Sequence, residues 1–138
     1  MQLPRQTLKN LASAKKADAQ LLFEHKRYSN SYYLYGYAIE LALKSVVALQ
    51  FSENAIPDRQ LVNKIYTHRL NDLVGYAGLR EKHSNELKIQ EFSAHWVVVE
   101  RWSEESRYEL VDVVNATAMH QAVQHETFGV FQWITKHW

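Results

Sequence analysis

Apolar positions in this chain recur at intervals of three and four residues almost from end to end, the spacing of one face of an α-helix. The first run predicts a helix from Arg5 to Glu24, with Pro4 or Thr7 near its start. Leu8, Leu11, Ala14, Asp18, Leu21 and Leu22 trace its mostly apolar stripe, and Lys9, Lys15, Lys16 and Gln20 are expected to face water. The second run predicts a helix from Ser29 to Gln50 that is apolar or aromatic on almost every side, from Tyr32 and Tyr33 to Val46 and Val47. Such a helix belongs at the centre of a fold.

Breaks in the pattern are few. Phe51 to Asp58 reads as a loop, and Pro57 suits the first position of a short helix. Thr67 is placed to cap a second short helix, His68 to Tyr76, which ends near Gly78. Ser84 is placed to cap a long helix reaching Trp102, with Phe92, Trp96 and Val99 on one face. A last helix is expected from Tyr108 to Lys136, carrying a seam of Val113, Ala116, His120, Val123, Thr127, Val130 and Ile134. The architecture implied is all-α: an up-and-down bundle of four long helices plus short connecting ones, in a single domain over residues 1–138.

Composition narrows the function classes. With 46% hydrophobic and 22% charged residues, the 138-residue chain is ordinary for a globular protein. The absence of Cys removes disulfides, thiol chemistry and Cys-based zinc sites, and suits a cytoplasmic location. No apolar stretch approaches the about 18 residues of a membrane span, and no secretory h-region is present. A net charge of +1 and a pI near 8.0 fall short of the basicity typical of nucleic-acid binders, although a local patch could still serve. There is no phosphate-binding glycine loop, HExxH or nucleophile elbow, and no cofactor is expected.

Four strings stand in order along the chain: GYAIELALKS (36–45), THRLNDL (67–73), HWVVVERWSEESRY (95–108) and GVFQWITKHW (129–138). Together they resemble the HEPN family (higher eukaryotes and prokaryotes nucleotide-binding) in its small stand-alone bacterial form. The resemblance implies a helical bundle that forms a homodimer, and a place in toxin–antitoxin, phage-defence or RNA-processing systems. A nucleotidyltransferase or antitoxin partner and an RNA or nucleotide ligand would go with it. Many members are metal-independent ribonucleases whose signature is an Arg, four to six residues, then a His. None of Arg5, Arg27, Arg59, Arg69, Arg80, Arg101 or Arg107 meets it. The nearest degenerate match, NATAMH, puts neutral Asn115 where the Arg belongs and His120 at the His position. Asn is neutral, so it could not supply the positive charge that stabilises a phosphorane-like transition state.

Five groups of side chains carry candidate chemistry. Glu40 and Lys44 lie one turn apart, as an intrahelical ion pair that fixes packing or as a polar pair lining a nucleotide pocket. His120 reads as a hydrogen-bonded core residue, or as a general base aided by Arg107. His125 falls off the i, i+4 spacing of a helical metal pair, so no metal site is expected. His68 and Arg69 either open a docked helix or form an anion site. Arg107 and Tyr108 form a structural corner, with Glu104, Glu105 or a carboxylate across the bundle as ion-pair partner, or a phosphate contact. Lys15, Lys16, Lys26 and Arg27 read as a solvated face. The seam and the four Trp residues, with the family habit, point to a homodimer. The reading as a whole is a non-catalytic binding or regulatory module, with a divergent ribonuclease or a plain nucleotide- or RNA-binding protein as alternatives.

Overall fold

The densest apolar run becomes the spine. Two 20-residue helices, α1 (Arg5–Glu24) and α2 (Tyr28–Val47), pack as a hairpin, and α2 runs on into a 3₁₀ turn (Ala48–Gln50). The computed structural model describes residues 3–51, 56 and 58–138, and among these no strand occurs. No helix among the described residues is long and apolar enough to cross a membrane.

The hairpin closes through hydrogen bonds from Lys26 N–H to Phe23 O and from Arg27 N–H to Leu22 O. That pair of bonds is the Schellman helix ending, and it puts Lys26 at φ 60°, in the left-handed region. On α2, twelve residues are buried, and α1, the later helices Leu70–Tyr76, Val113–Gln124 and Val130–Thr135, and the 3₁₀ turn after Trp102 pack on it.

The face that α1 presents differs from the expected stripe. Leu8, Ala12 and Ala19 are buried, whereas Leu11, Ala14, Asp18 and Leu21 are exposed. Small side chains let the two backbones approach, and Ser31 Oγ on α2 donates to Ala19 O at 2.8 Å. Lys9, Lys15 and Lys16 are half-buried rather than solvated, with ammonium groups 5.3, 6.0 and 4.8 Å from the ring centroids of Trp138, Tyr37 and Phe131. Their alkyl stems cover apolar surface that Leu side chains were expected to fill. Lys26 and Arg27 are exposed, as expected.

The remaining helices are α3 (Arg59–Lys64), α4 (Leu70–Tyr76), α5 (Arg80–Glu86), α6 (Gln90–Glu100), α7 (Val113–Gln124) and α8 (Val130–Thr135), with a second 3₁₀ turn at Glu104–Tyr108. Pro57 lies outside the described residues, and Asp58 Oδ1 accepts from Gln60 N–H just ahead of α3. Thr67 Oγ1 accepts from Arg69 N–H, so α4 starts at Leu70 and His68 stays outside the helix.

Both long C-terminal helices expected from the sequence are broken. Ser84 sits inside α5 instead of capping a helix, and the chain turns at Leu87–Ile89 before α6. Leu87 and Ile89 both pack on the core. On an unbroken helix they would point about 200° apart, so only a break turns both inward. The second break separates α7 from α8. Thr127 N–H and Phe128 N–H donate to His125 Nδ1, and a Cβ at Gly129 would stand 2.3 Å from His125 O. Tyr108 belongs to the 3₁₀ turn, and α7 begins only after Asp112, whose Oδ1 accepts from Asn115 N–H.

The expected seam is spent inside the chain. Ala116, Val123, Val130 and Ile134 join the core with Phe92, Trp96, Trp102 and Trp133, while Val113 and Thr127 face water. Of the seam Val113 stays exposed, and of the four tryptophans Trp138 is half-buried.

Candidate functional site

Glu40 sits in the middle of α2 and is 2% exposed. Lys44, one turn on, places Nζ 3.3 Å from Glu40 Oε2. His68, in the link ahead of α4, places Nδ1 2.9 Å from Glu40 Oε1. The other ring nitrogen, Nε2, stands 2.9 Å from Oε2 of Glu104 in the 3₁₀ turn Glu104–Tyr108. Exposure rises outward along this chain of charges, to 43% for the His68 side chain and 41% for Glu104. Both contacts of the imidazole are N–H donations only in its doubly protonated form. In a neutral ring one nitrogen carries the proton, and the buried Glu40 has the stronger need of it, since water can reach Glu104.

The outer end of the chain opens on a cleft of about 430 Å³ lined by Thr67, His68, Arg69, Trp102, Ser103, Glu104 and Glu105. Its position depends on Gly36. A Cβ there would lie 2.2 Å from the Trp102 indole, so the ring can lie flat on α2 only because the side chain is missing. Trp102 Nε1 and Ser106 Oγ are buried with no protein hydrogen-bond partner. The rim mixes a guanidinium and an imidazole with two carboxylates. It can donate to an anionic group and accept from hydroxyls and amines. Among the described residues no cluster of three or more acidic or imidazole side chains could hold a metal ion.

His120 lies elsewhere, in a hydrogen-bonded core setting. Its Nδ1 is 2.6 Å from Tyr35 Oη, which also accepts from Gln124 Nε2 at 3.2 Å. In the tautomer with its proton on Nε2, His120 accepts at Nδ1 from the Tyr35 hydroxyl. The ring stacks on Phe23 with centroids 4.2 Å apart. Burial pushes its pKa down, opposed in part by Glu24. Burial also pushes the Tyr35 phenol up to about 12.

Arg107 joins neither Glu104 nor Glu105 in an ion pair; its guanidinium lies over the Tyr108 ring, 4.8 Å from the centroid. The neighbouring Tyr108 phenol, with Tyr33 adding to it, holds its pKa above the ordinary value. Tyr33 and Tyr35 are two residues apart on α2 and so point about 200° apart. Arg107 and His120, which contact them, are thus on different sides of the spine. The structure brings together Glu40, Lys44, His68 and Arg69, and keeps His120, Arg107 and Tyr108 out of that group. Glu104 is the member sequence reasoning missed, having been assigned to Arg107. No local signal marks it, because it meets His68 only through the docking of the 3₁₀ turn on α2.

Fold and cleft define the class of an all-α helical bundle with a buried charge chain leading to a polar cleft. Compared with known proteins, the chain matches no family model, no curated protein and no solved structure.

Proposed function

We propose that this chain is a HEPN-like helical module that binds a nucleotide or RNA without cutting it, and that it regulates a partner such as a nucleotidyltransferase or an antitoxin. The all-α bundle agrees with the resemblance of the four sequence strings. The observation that carries the reading is His68, held by buried Glu40 at the mouth of a polar cleft with Arg69 beside it. A nucleotide presents an anion together with hydroxyl and amine donors. Arg69 and His68 suit the first, and Glu104 and Glu105 suit the second. Catalysis is disfavoured by the missing Arg ahead of His120 and by the engagement of His120 Nδ1 with Tyr35. A homodimer belongs to the proposal, with the exposed apolar run Tyr108, Leu110, Val113 and Val114 as its contact surface.

Calorimetric titration with ATP and with a short single-stranded RNA tests the reading. Binding is expected that weakens about tenfold or more in Arg69→Ala, the loss of one charged hydrogen bond, and is unchanged in His120→Ala. The RNA should stay intact with and without a chelator. Metal-independent cleavage that disappears in His120→Ala, or no binding of either probe at about 1 mM, would overturn it. Light scattering should give twice the 16.2 kDa chain mass; the single-chain mass at micromolar concentration would remove the dimer.

A further inference from the structure

Lys44 also lines a second cavity, away from the residues of the cleft. This pocket measures about 230 Å³, and Lys44 is the only charged group on its wall among the described residues. Leu8 and Val47, both buried, form its floor, and Leu3 and Tyr66, both exposed, form its rim with Phe51 beside them. An ammonium has three N–H donors. One is directed at Glu40 Oε2, and the Lys44 side chain keeps 19% exposure for the others.

We propose that this pocket binds small monocarboxylates with an apolar tail, the carboxylate on Lys44 and the tail over Leu8 and Val47. Each part of that description follows from the wall. Apolar lining takes up a hydrocarbon chain or a single ring, at roughly 25 cal/mol per Å² removed from water. The Lys44 ammonium shares its one charge with Glu40, so what it offers a ligand is its remaining N–H donors, enough to hydrogen-bond one carboxylate. A phosphate dianion would bring a second charge that no other wall residue among the described ones meets. The volume lies below the roughly 300–1,000 Å³ of sites for drug-sized ligands, so the ligand is small. An uncharged analogue of the same length loses the charged hydrogen bond, which discriminates against it by about tenfold or more. The site shares no wall residue with the cleft, so it stands or falls apart from the nucleotide reading.

The test titrates the full chain with sodium octanoate and, separately, with 1-octanol, followed by amide NMR shifts. Octanoate should saturate a site marked by shifts at Phe51, Ile65 and Tyr66, about tenfold more tightly than octanol. Ala48→Leu narrows the pocket while leaving Lys44 and Glu40 in place, and should weaken octanoate binding by about tenfold or more. Lys44→Met should abolish the difference between acid and alcohol. If that variant does not fold, the octanol comparison and Ala48→Leu still decide. Equal affinities for octanoate and octanol in the native chain, octanoate binding undiminished in Ala48→Leu, or no shift at about 1 mM octanoate would each overturn the proposal.

Discussion

Each oxygen of the buried Glu40 carboxylate has its own partner, Lys44 Nζ on one side and His68 Nδ1 on the other. A buried carboxylate without partners is destabilising because nothing replaces its lost hydration, so the two contacts act as a unit. Removing one partner alone is then worse than removing the charge pair. Lys44→Met should lower unfolding stability by about 3 kcal/mol, near the low end for a stranded buried charge because His68 remains. Glu40→Met with Lys44→Met should cost about 1 kcal/mol, since the released His68 is half-exposed and water can take its Nδ1. Urea denaturation of the two variants checks the order. Equal, small losses would show that water reaches Glu40 after all.

Helix ends rather than helix interiors decide where the elements lie. The α1–α2 hairpin turns on Lys26 at φ 60°, a conformation that carries a penalty of about 1–2 kcal/mol for a residue with a Cβ. Glycine removes that penalty and gives back part of the gain through a more flexible unfolded chain. Lys26→Gly is therefore expected to stabilise the protein by about 0.5–1 kcal/mol, seen as a higher urea midpoint with an unchanged slope. The Lys26 side chain is exposed, so little packing goes with it. A lower midpoint would mean that the turn is not held in this conformation in solution. The breaks at Leu87–Ile89 and His125–Gly129 follow the same logic, for in each the chain leaves the helix where core contacts outweigh the helical bonds given up.

Across the whole bundle, three histidines lie where protonation is opposed. His83 is buried against Trp96 at 4.4 Å with Nε2 unpartnered; burial, helped by Arg80, pushes its pKa from 6.5 to about 4. Burial lowers His120 and His137 as well, with Lys82 and Lys136 adding to the effect at His137. The unfolded chain takes up these protons near pH 6.5, while the folded chain resists until lower pH. Their stabilising contribution is thus complete above about pH 6.5 and declines as pH falls below it, for His83 down to about 4. His83 alone accounts for up to about 3 kcal/mol over that interval. Urea midpoints taken from pH 7.5 down to about 5 should fall, and His83→Leu should flatten much of the slope. A native midpoint constant over that range would contradict the burial of His83.

The class of fold was legible in the sequence because helical periodicity is a local property, carried by residues within one turn of each other. The bounds of α1, the centrality of α2 and the buried face of Phe92, Trp96 and Val99 follow from it directly. Glu40, Lys44, His68 and Arg69 were also visible, as polar residues in places that the pattern did not require. Only the tertiary structure decided which face of α1 is buried, where the C-terminal helices break, and that Glu104 rather than an arginine completes the charge chain at His68. Those outcomes depend on which surfaces meet. Alanines outcompete leucines on α1 because α2 approaches closely, and His68 finds Glu104 because Trp102 lies flat on Gly36 and draws the following 3₁₀ turn against α2. No residue's nearest neighbours in the chain carry that information.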